Sequence, residues 1–324
     1  MCRHLAYLGP ARPLAALVLE PEFGLLRQSY APRDMRGGGT VNADGFGVGW
    51  YPRPGSTARY RGDRPLWADQ SFAEVAAVTE SGALLAAVRS ATVGMPVVST
   101  ASAPFTDGHW LFSHNGVVTG WPASVVGLAA ELPVTDLLTL DAPTDSALLW
   151  ALVRHRLRSG EPPAEVLAGV VASVAAAAPG SKLNLLLTDG AEVYATAWRH
   201  SLVVRTEPDS VTVGSEPHDE EPGWTPVPEG HLLVGRPGHV HTAPIETAPI
   251  ETAPITVPTT EPTTEPTEPA EPAASGAPAE HRNGRAGRVR PSRRDHLTDS
   301  AEPRGVVERA VAEPGARHRG PRGV

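Results

Sequence analysis

Apolar and polar residues alternate along residues 2–8, CRHLAYL, so that Cys2, His4, Ala6 and Leu8 share one face of a strand and Arg3, Leu5 and Tyr7 the other. Residues 36–51, RGGGTVNADGFGVGWY, join a glycine run to a strand whose own glycines permit close approach of a backbone or ligand. Leu84 to Ser90 and Trp110 to Ser113 read as short strands that end in polar residues. From Asp145 to Ser159 the period changes: Leu148, Leu149, Leu152, Val153 and Leu157 fall on one helical face, with Thr144 as N-cap and Gly160 as stop. Ala164 to Ala178 forms a second helix. LNLLLT at 183–188, Asp189-Gly190 and EVYATAW at 192–198 spell a hairpin, and Ser201–Thr206, Val211–Gly214 and His231–Gly235 continue as strands. Runs of strands and runs of helices without regular βαβ alternation predict an α+β layered fold.

Composition limits how much of the 324 residues can fold. All seven Trp and all five Phe precede His241, enough for one sizeable core. From Thr242 the chain repeats TAPIE, TAPIE, TAPIT and then TEPTTEPTEPAEPA, and Ala243 to Glu280 holds nine prolines, seven glutamates and no aromatic residue. Proline removes backbone donors and like charges repel, so this stretch is expected to be a disordered linker. His281 to Val324 has eleven arginines against five acidic residues. The expected organisation is a globular domain at 1–242, a Pro/Thr/Glu-rich linker at 243–280 and an Arg-rich disordered tail at 281–324. The tail lacks interleaved aromatics for base stacking, and Lys182 is the sole lysine of the chain, which points to a compositional preference for arginine. Nucleic acid is therefore not the expected partner; the tail is a candidate surface for protein contacts.

One cysteine excludes an internal disulfide framework and any multi-cysteine metal site. No charged start leads into an apolar signal core, and Val166 to Ala178 is too short to span a bilayer, so a cytoplasmic location is expected. His239 and His241 are spaced as HxH but lack a third ligand nearby and read as ordinary strand residues.

Cys2 is the residue with the most chemistry. If Met1 is removed, one residue carries both a thiol and an α-amine. The amine ordinarily titrates near neutrality, so the general base is built into the nucleophile. An incidental second-position cysteine is the alternative. Three strand ends add the remaining parts: Arg89-Ser-Ala-Thr92-Val-Gly94, His114-Asn115-Gly116 and Thr144-Asp145-Ser146. Asn115 and the Gly116 N–H can donate to a developing oxyanion. Arg89 and Asp145 can bind the α-carboxylate and α-ammonium of an amino acid, and Thr92 can add a hydroxyl or backbone contact. Each has a plainer alternative: a surface ion pair for Arg89, a hairpin turn for Asn115-Gly116, and a helix-cap charge for Asp145.

Taken together, CRH at the start, NADGFGVGW at 42–50, RSATVG at 89–94, SHNG at 113–116 and TDS at 144–146 resemble the glutaminase domain of class II glutamine amidotransferases, a family of N-terminal-nucleophile hydrolases. The resemblance covers residues 2 to about 240, with the motifs in the family's order. It implies an αββα sandwich, two antiparallel sheets between helical layers. It also implies Cys2 as nucleophile and base, Asn115 and Gly116 as oxyanion hole, and Arg89, Thr92 and Asp145 as head-group ligands. MCRHLAYLG, NADGFGVGWY, NLLLTDG and GSEP at 214–217 are most similar to the stand-alone branch that cleaves the γ-glutamyl amide of γ-glutamyl-hercynylcysteine S-oxide in ergothioneine biosynthesis. Trp50, Tyr51 and His114 are candidate walls for its imidazole-bearing leaving group, against the core packing that aromatic residues at strand ends commonly serve. Family members often carry Glu two residues beyond the Asp of TDS, where this chain has Ala147. No cofactor or metal is implied. The competing enzymatic reading is a glutaminase subunit that supplies ammonia to a separate synthetase. A non-enzymatic reading, a degenerate hydrolase with an interaction tail, is opposed by the presence of every motif residue.

Overall fold

The computed structural model describes residues 2–35 and 41–247; the linker and tail expectations for 243–324 lie, from 248 on, outside the described residues. In chain order the elements are β1 (Arg3–Pro13), α1 (Leu14–Val18), α2 (Leu25–Gln28), β2 (Phe46–Arg53), β3 (Ser56–Gly62), α3 (Gln70–Val78), β4 (Glu80–Val88), β5 (Phe105–Asp107), β6 (Trp110–Val117), α4 (Val126–Ala129), α5 (Val134–Leu138), α6 (Asp145–Arg158), α7 (Pro163–Ala177), β7 (Lys182–Thr188), β8 (Val193–Ala197), β9 (Val203–Glu207), β10 (Ser210–Gly214), β11 (Thr225–Pro226), β12 (His231–Arg236) and β13 (His239–Pro244).

The strands form two antiparallel sheets, ordered β11-β9-β10-β1-β4-β2-β3 and β13-β12-β8-β7-β6-β5. Strand alternation builds three apolar layers from them. Ala6, Leu8, Leu85, Val211 and Val213 of the first sheet meet Leu111, Leu186, Val193, Ala195 and Leu233 of the second, filling the space between the sheets. The opposite face of the first sheet, through Leu5, Tyr7, Phe46, Val48, Leu84 and Ala86, packs on α1, α2 and α3. The opposite face of the second, through Phe112, Leu183, Leu185 and Leu187, packs on α6 and α7. This is the expected αββα arrangement, reached because both sheets are apolar on both faces and each uncovered face needs a helical layer.

Both predicted helices and the predicted strands from residue 183 onward appear within a residue or two of their expected ends, whereas β1, β4 and β6 each extend four or five residues past one expected end. Thr144 caps α6, its hydroxyl accepting from the Ala147 N–H at 3.2 Å. The fold also runs slightly past the expected boundary at 242, since β13 continues to Pro244 and Ile245 is buried against the α6–α7 layer. The strand β3 and helix α3 had no clear periodic signal. Among the described residues no helix is long and apolar enough to cross a membrane.

Candidate active site

The site forms where β1, β4 and β6 end together. β1 lies between β10 and β4, with Arg3 opposite Val88 and Leu5 opposite Gly214, so Cys2 sits level with Arg89 and beside the chain leaving β10. Its Sγ is 3.7 Å from the Ser90 carbonyl. Cys2, Arg89, His114 and Ser146 line one narrow cavity, walled on its apolar side by Ala103 and Phe105.

Arg89 is buried, 9% exposed, which disposes of the surface ion-pair alternative. Its Nη1 donates to the Pro96 carbonyl at 2.9 Å and the Asp44 carbonyl at 3.4 Å. Backbone contacts grip the turn that carries it: the Arg89 N–H donates to Gly45 O, the Asp44 N–H to Arg89 O, and the Asp44 carboxylate accepts from the Ala91 N–H at 2.8 Å. Gly45 holds φ at 123°, and a Cβ there would strike Ser102, so this brace requires glycine. Thr92 stands exposed in the turn that follows, its carbonyl accepting from the Met95 N–H.

Asn115 and Gly116 belong to β6, paired with Asn184 and Leu183, and are not a hairpin turn. Alternation points Asn115 into the space between the sheets and His114 toward α6. The Asn115 amide donates one hydrogen to Ser215 Oγ at 3.1 Å, and Ser215 Oγ also accepts from the His4 N–H at 3.0 Å. Among the described residues the second amide hydrogen has no protein partner, and Asn115 Oδ1 is buried without one. A Cβ at 116 would collide with the Lys182 carbonyl oxygen, so only glycine keeps β6 and β7 paired there.

His114 bridges β7 and α6. Its Nε2 is 2.9 Å from the Lys182 carbonyl, which can only accept, so Nε2 carries a proton; in the neutral ring Nδ1 then accepts from Ser146 Oγ, 2.9 Å away. Asp145, the first residue of α6, is buried and ties that helix to the end of β6: Oδ2 accepts from the Val118 N–H at 3.0 Å and Oδ1 from the Ser146 N–H at 2.7 Å. Oδ1 also lies 3.4 Å from Ser146 Oγ, and Oδ2 keeps a further lone pair.

Trp50 is not brought to the cavity. It packs on the α1–α2 layer opposite Leu84, five residues along β2 from the level of Cys2, about 16 Å away at ~3.3 Å per residue. Tyr51 faces the intersheet layer at that same distant end, its hydroxyl donating to the His109 and Thr188 carbonyls. The plainer reading, core packing, holds for both. Position along β2 decides this outcome, because both residues lie toward the end of the strand remote from Cys2.

Several residues of the site carried no assignment from sequence. Arg3, 1% exposed, pairs with Glu216, 3% exposed, at 3.1 Å; its Nη1 donates to the Cys2 carbonyl at 3.0 Å and its Nη2 to the Asp34 carbonyl. Glu216 Oε2 accepts from the Arg33 and Asp34 N–H groups at 2.8 and 3.0 Å. Ser215 and Glu216 lie in GSEP, a segment legible only as part of the family likeness. Beneath them His4 and His200 are buried, and burial, reinforced by nearby positive charge, lowers them from 6.5 to about 3 and about 4. Both are neutral at physiological pH. His239 and His241 lie exposed on β13. Among the described residues no group of three or more His, Cys, Asp or Glu is placed to hold a metal ion.

Residues 25–212 match the family described as class II glutamine amidotransferases. The chain belongs to that family. A gamma-glutamyl-hercynylcysteine sulfoxide hydrolase of Mycolicibacterium smegmatis is 44% identical over 245 residues, which are 76% of this chain and 100% of the relative. A protein of the same name from Mycobacterium tuberculosis is 42% identical over 238 residues, 72% of this chain and 92% of that one. The solved structure of a glutamine aminotransferase class-II domain protein from Silicibacter pomeroyi aligns with a TM-score of 0.56 at 23% identity, over 76% of this chain and 100% of that one, a likeness of fold.

Proposed function

We propose that this protein hydrolyses the γ-glutamyl amide bond of γ-glutamyl-hercynylcysteine S-oxide, releasing glutamate and hercynylcysteine S-oxide, with residues 1–245 as the hydrolase domain. The observation that carries the reading is the convergence of Cys2, Arg89, His114 and Ser146 on one cavity, one strand face away from Asn115. The names of relatives at 42–44% identity favour this substrate over free glutamine with a separate synthetase.

In the proposed cycle, Met1 is removed and the Cys2 α-amine takes the thiol proton. The thiolate attacks the γ-carbonyl, and the oxyanion that forms accepts from the second Asn115 amide hydrogen and from the Gly116 N–H. Collapse to a γ-glutamyl thioester releases the amine, which leaves with the proton the α-amine had taken; water, deprotonated by the same α-amine, then frees glutamate and the thiol. Arg89 holds the α-carboxylate, with Thr92 added when the 92–95 turn closes on substrate, and Asp145 with Ser146 accepts from the α-ammonium.

Intact-mass measurement after incubation with 6-diazo-5-oxo-L-norleucine tests the core of this. The expected product lacks Met1 and carries one adduct on Cys2, and Cys2→Ala carries none and turns over no substrate. Cys2→Ser should be slower by orders of magnitude, since an alcohol holds its proton more tightly. An active enzyme that retains Met1, or near-normal turnover by either variant, would refute the mechanism. Rapid glutamine hydrolysis with no cleavage of the conjugate would favour the glutaminase-subunit reading.

A further inference from the structure

The two groups that must meet at the reacting carbonyl belong to different sheets. Cys2 directly precedes β1 of the first sheet, and Asn115 lies on β6 of the second. Most of the space between the sheets is filled by apolar side chains, whose burial favours contact but gives an amide no direction. An oxyanion donor needs a direction, so a polar group has to span the gap.

Ser215, the residue after β10, spans it and is fully buried. Its N–H donates to the His4 carbonyl at 3.0 Å, which carries the β1–β10 pairing one step beyond Leu5 and Gly214. Its Oγ accepts from the His4 N–H at 3.0 Å and donates to the His4 carbonyl, 3.4 Å away. The Asn115 amide donates into the remaining lone pair at 3.1 Å. A hydroxyl offers one proton and two acceptor sites, and here all are used. Two of them hold Ser215 to the strand that carries the nucleophile, and the third holds the amide of the facing sheet.

That third bond fixes which way the amide points. The last torsion of asparagine is broad and roughly two-fold, and a half-turn would put Oδ1 where Nδ2 stands. The oxyanion would then face the negative end of the amide dipole in place of a donor. Nothing on the oxygen side opposes that turn, because among the described residues Asn115 Oδ1 has no partner and Ser215 is the only partner of the side chain. Ser215 is in turn held by its neighbour: Glu216 pairs with buried Arg3 and accepts from the Arg33 and Asp34 N–H groups. Swinging the segment away from β1 would break a buried ion pair, a costly step.

We propose that Ser215 is a positioning residue of the oxyanion hole, whose hydroxyl, anchored on the nucleophile's own strand, sets the orientation of the Asn115 amide. This rests on Asn115 being the oxyanion donor, as proposed above. Ser215 touches no reacting atom and acts only through Asn115, so its effect must vanish when the amide is absent.

A double-mutant cycle in the full-length protein measures that dependence. Ser215→Ala, Asn115→Ala and the double variant are compared with the parent for cleavage of γ-glutamyl-hercynylcysteine S-oxide, with thermal melting to establish that each is folded. Ser215→Ala should lower kcat about tenfold with KM within about twofold, because a displaced donor loses its hold on the transition state. In the Asn115→Ala background the same substitution should change kcat by less than about twofold. Equal losses in both backgrounds would mark a merely structural role and overturn the proposal, as would an unchanged kcat or a loss confined to KM in Ser215→Ala. If Ser215→Ala does not fold, Ser215→Cys enters the same cycle under the same criteria, since a thiol fills the site but accepts weakly. Undiminished kcat in Asn115→Ala alone would instead sink the oxyanion assignment, and the role of Ser215 with it.

Discussion

The space between the two sheets has two regions built on the same strands. In the middle of β1, β6 and β7 it is filled by Ala6, Leu8, Leu111 and Leu186, all nearly without solvent contact. Toward the strand ends the same faces carry His4, Ser113, Asn115 and Asn184, equally buried but polar. The apolar region is held by area removed from water, which has no direction. The polar region must place each hydrogen: His4 Nδ1 with Ser113 Oγ at 3.3 Å, Asn184 Nδ2 with the Ser201 carbonyl at 2.9 Å, Asn115 with Ser215. It does not place them all, because His4 Nε2, Asn115 Oδ1 and His200 Nε2 have no partner among the described residues. Groups fixed on one side and unsatisfied on the other are what a preorganised site presents to a substrate, and the neighbouring apolar layer supplies the rigidity that holds them.

That contrast can be broken from either end. Leu186→Ala, in the apolar region, should lower unfolding free energy by about 2–5 kcal/mol through lost burial and a residual cavity, with kcat of the folded enzyme little changed; denaturant titration beside steady-state kinetics measures both, and a large kcat loss would show the regions to be one unit. Asn115→Ala should do the reverse. Loss of an oxyanion donor costs about 2.7–4 kcal/mol of transition-state stabilisation, a kcat drop of roughly 10²–10³, with KM nearly constant. If KM rises and kcat holds, Asn115 binds the ground state instead.

A further effect is in pH. His4 and His200 sit at about 3 and about 4 in the fold against 6.5 when exposed. Their contribution to stability is therefore fully present above pH 6.5 and is lost as pH falls below it toward 4, because the unfolded chain binds protons that the fold excludes. The slope is about 1.4 kcal/mol per pH unit for each histidine. Thermal midpoints between pH 7 and 4 should thus fall less steeply in His200→Gln than in the parent, and parallel curves would mean that His200 is solvated.

Much of the fold was legible from local pattern. The hairpin at LNLLLT-DG-EVYATAW, the capped helix at TDS and the alternation of CRHLAYL each depend on residues within about ten positions of one another, so periodicity and capping suffice. β3 and α3 were not legible: Ser56–Gly62 is evenly half-buried and carries no two-fold contrast. The helix Gln70–Val78 buries only Phe72 and Ala76 and is fixed by the Asp69 cap and by packing on α1. In the site, residues within quoted motifs were identifiable as candidates, whereas Trp50 was not separable from them, since a motif does not state which end of a strand meets the ligand.

By itself the sequence determined the family and singled out a candidate nucleophile and the chemistry available to it, because a thiol beside an α-amine, an Asn-Gly pair and an arginine are properties of residue type and order. Only the tertiary structure decided which of them meet. Arg3 and Glu216 are 213 positions apart and Asn115 and Ser215 are 100 apart. Such pairs arise from the order of strands in two sheets, and strand order is set by burial summed over the whole domain, which no short window of residues contains.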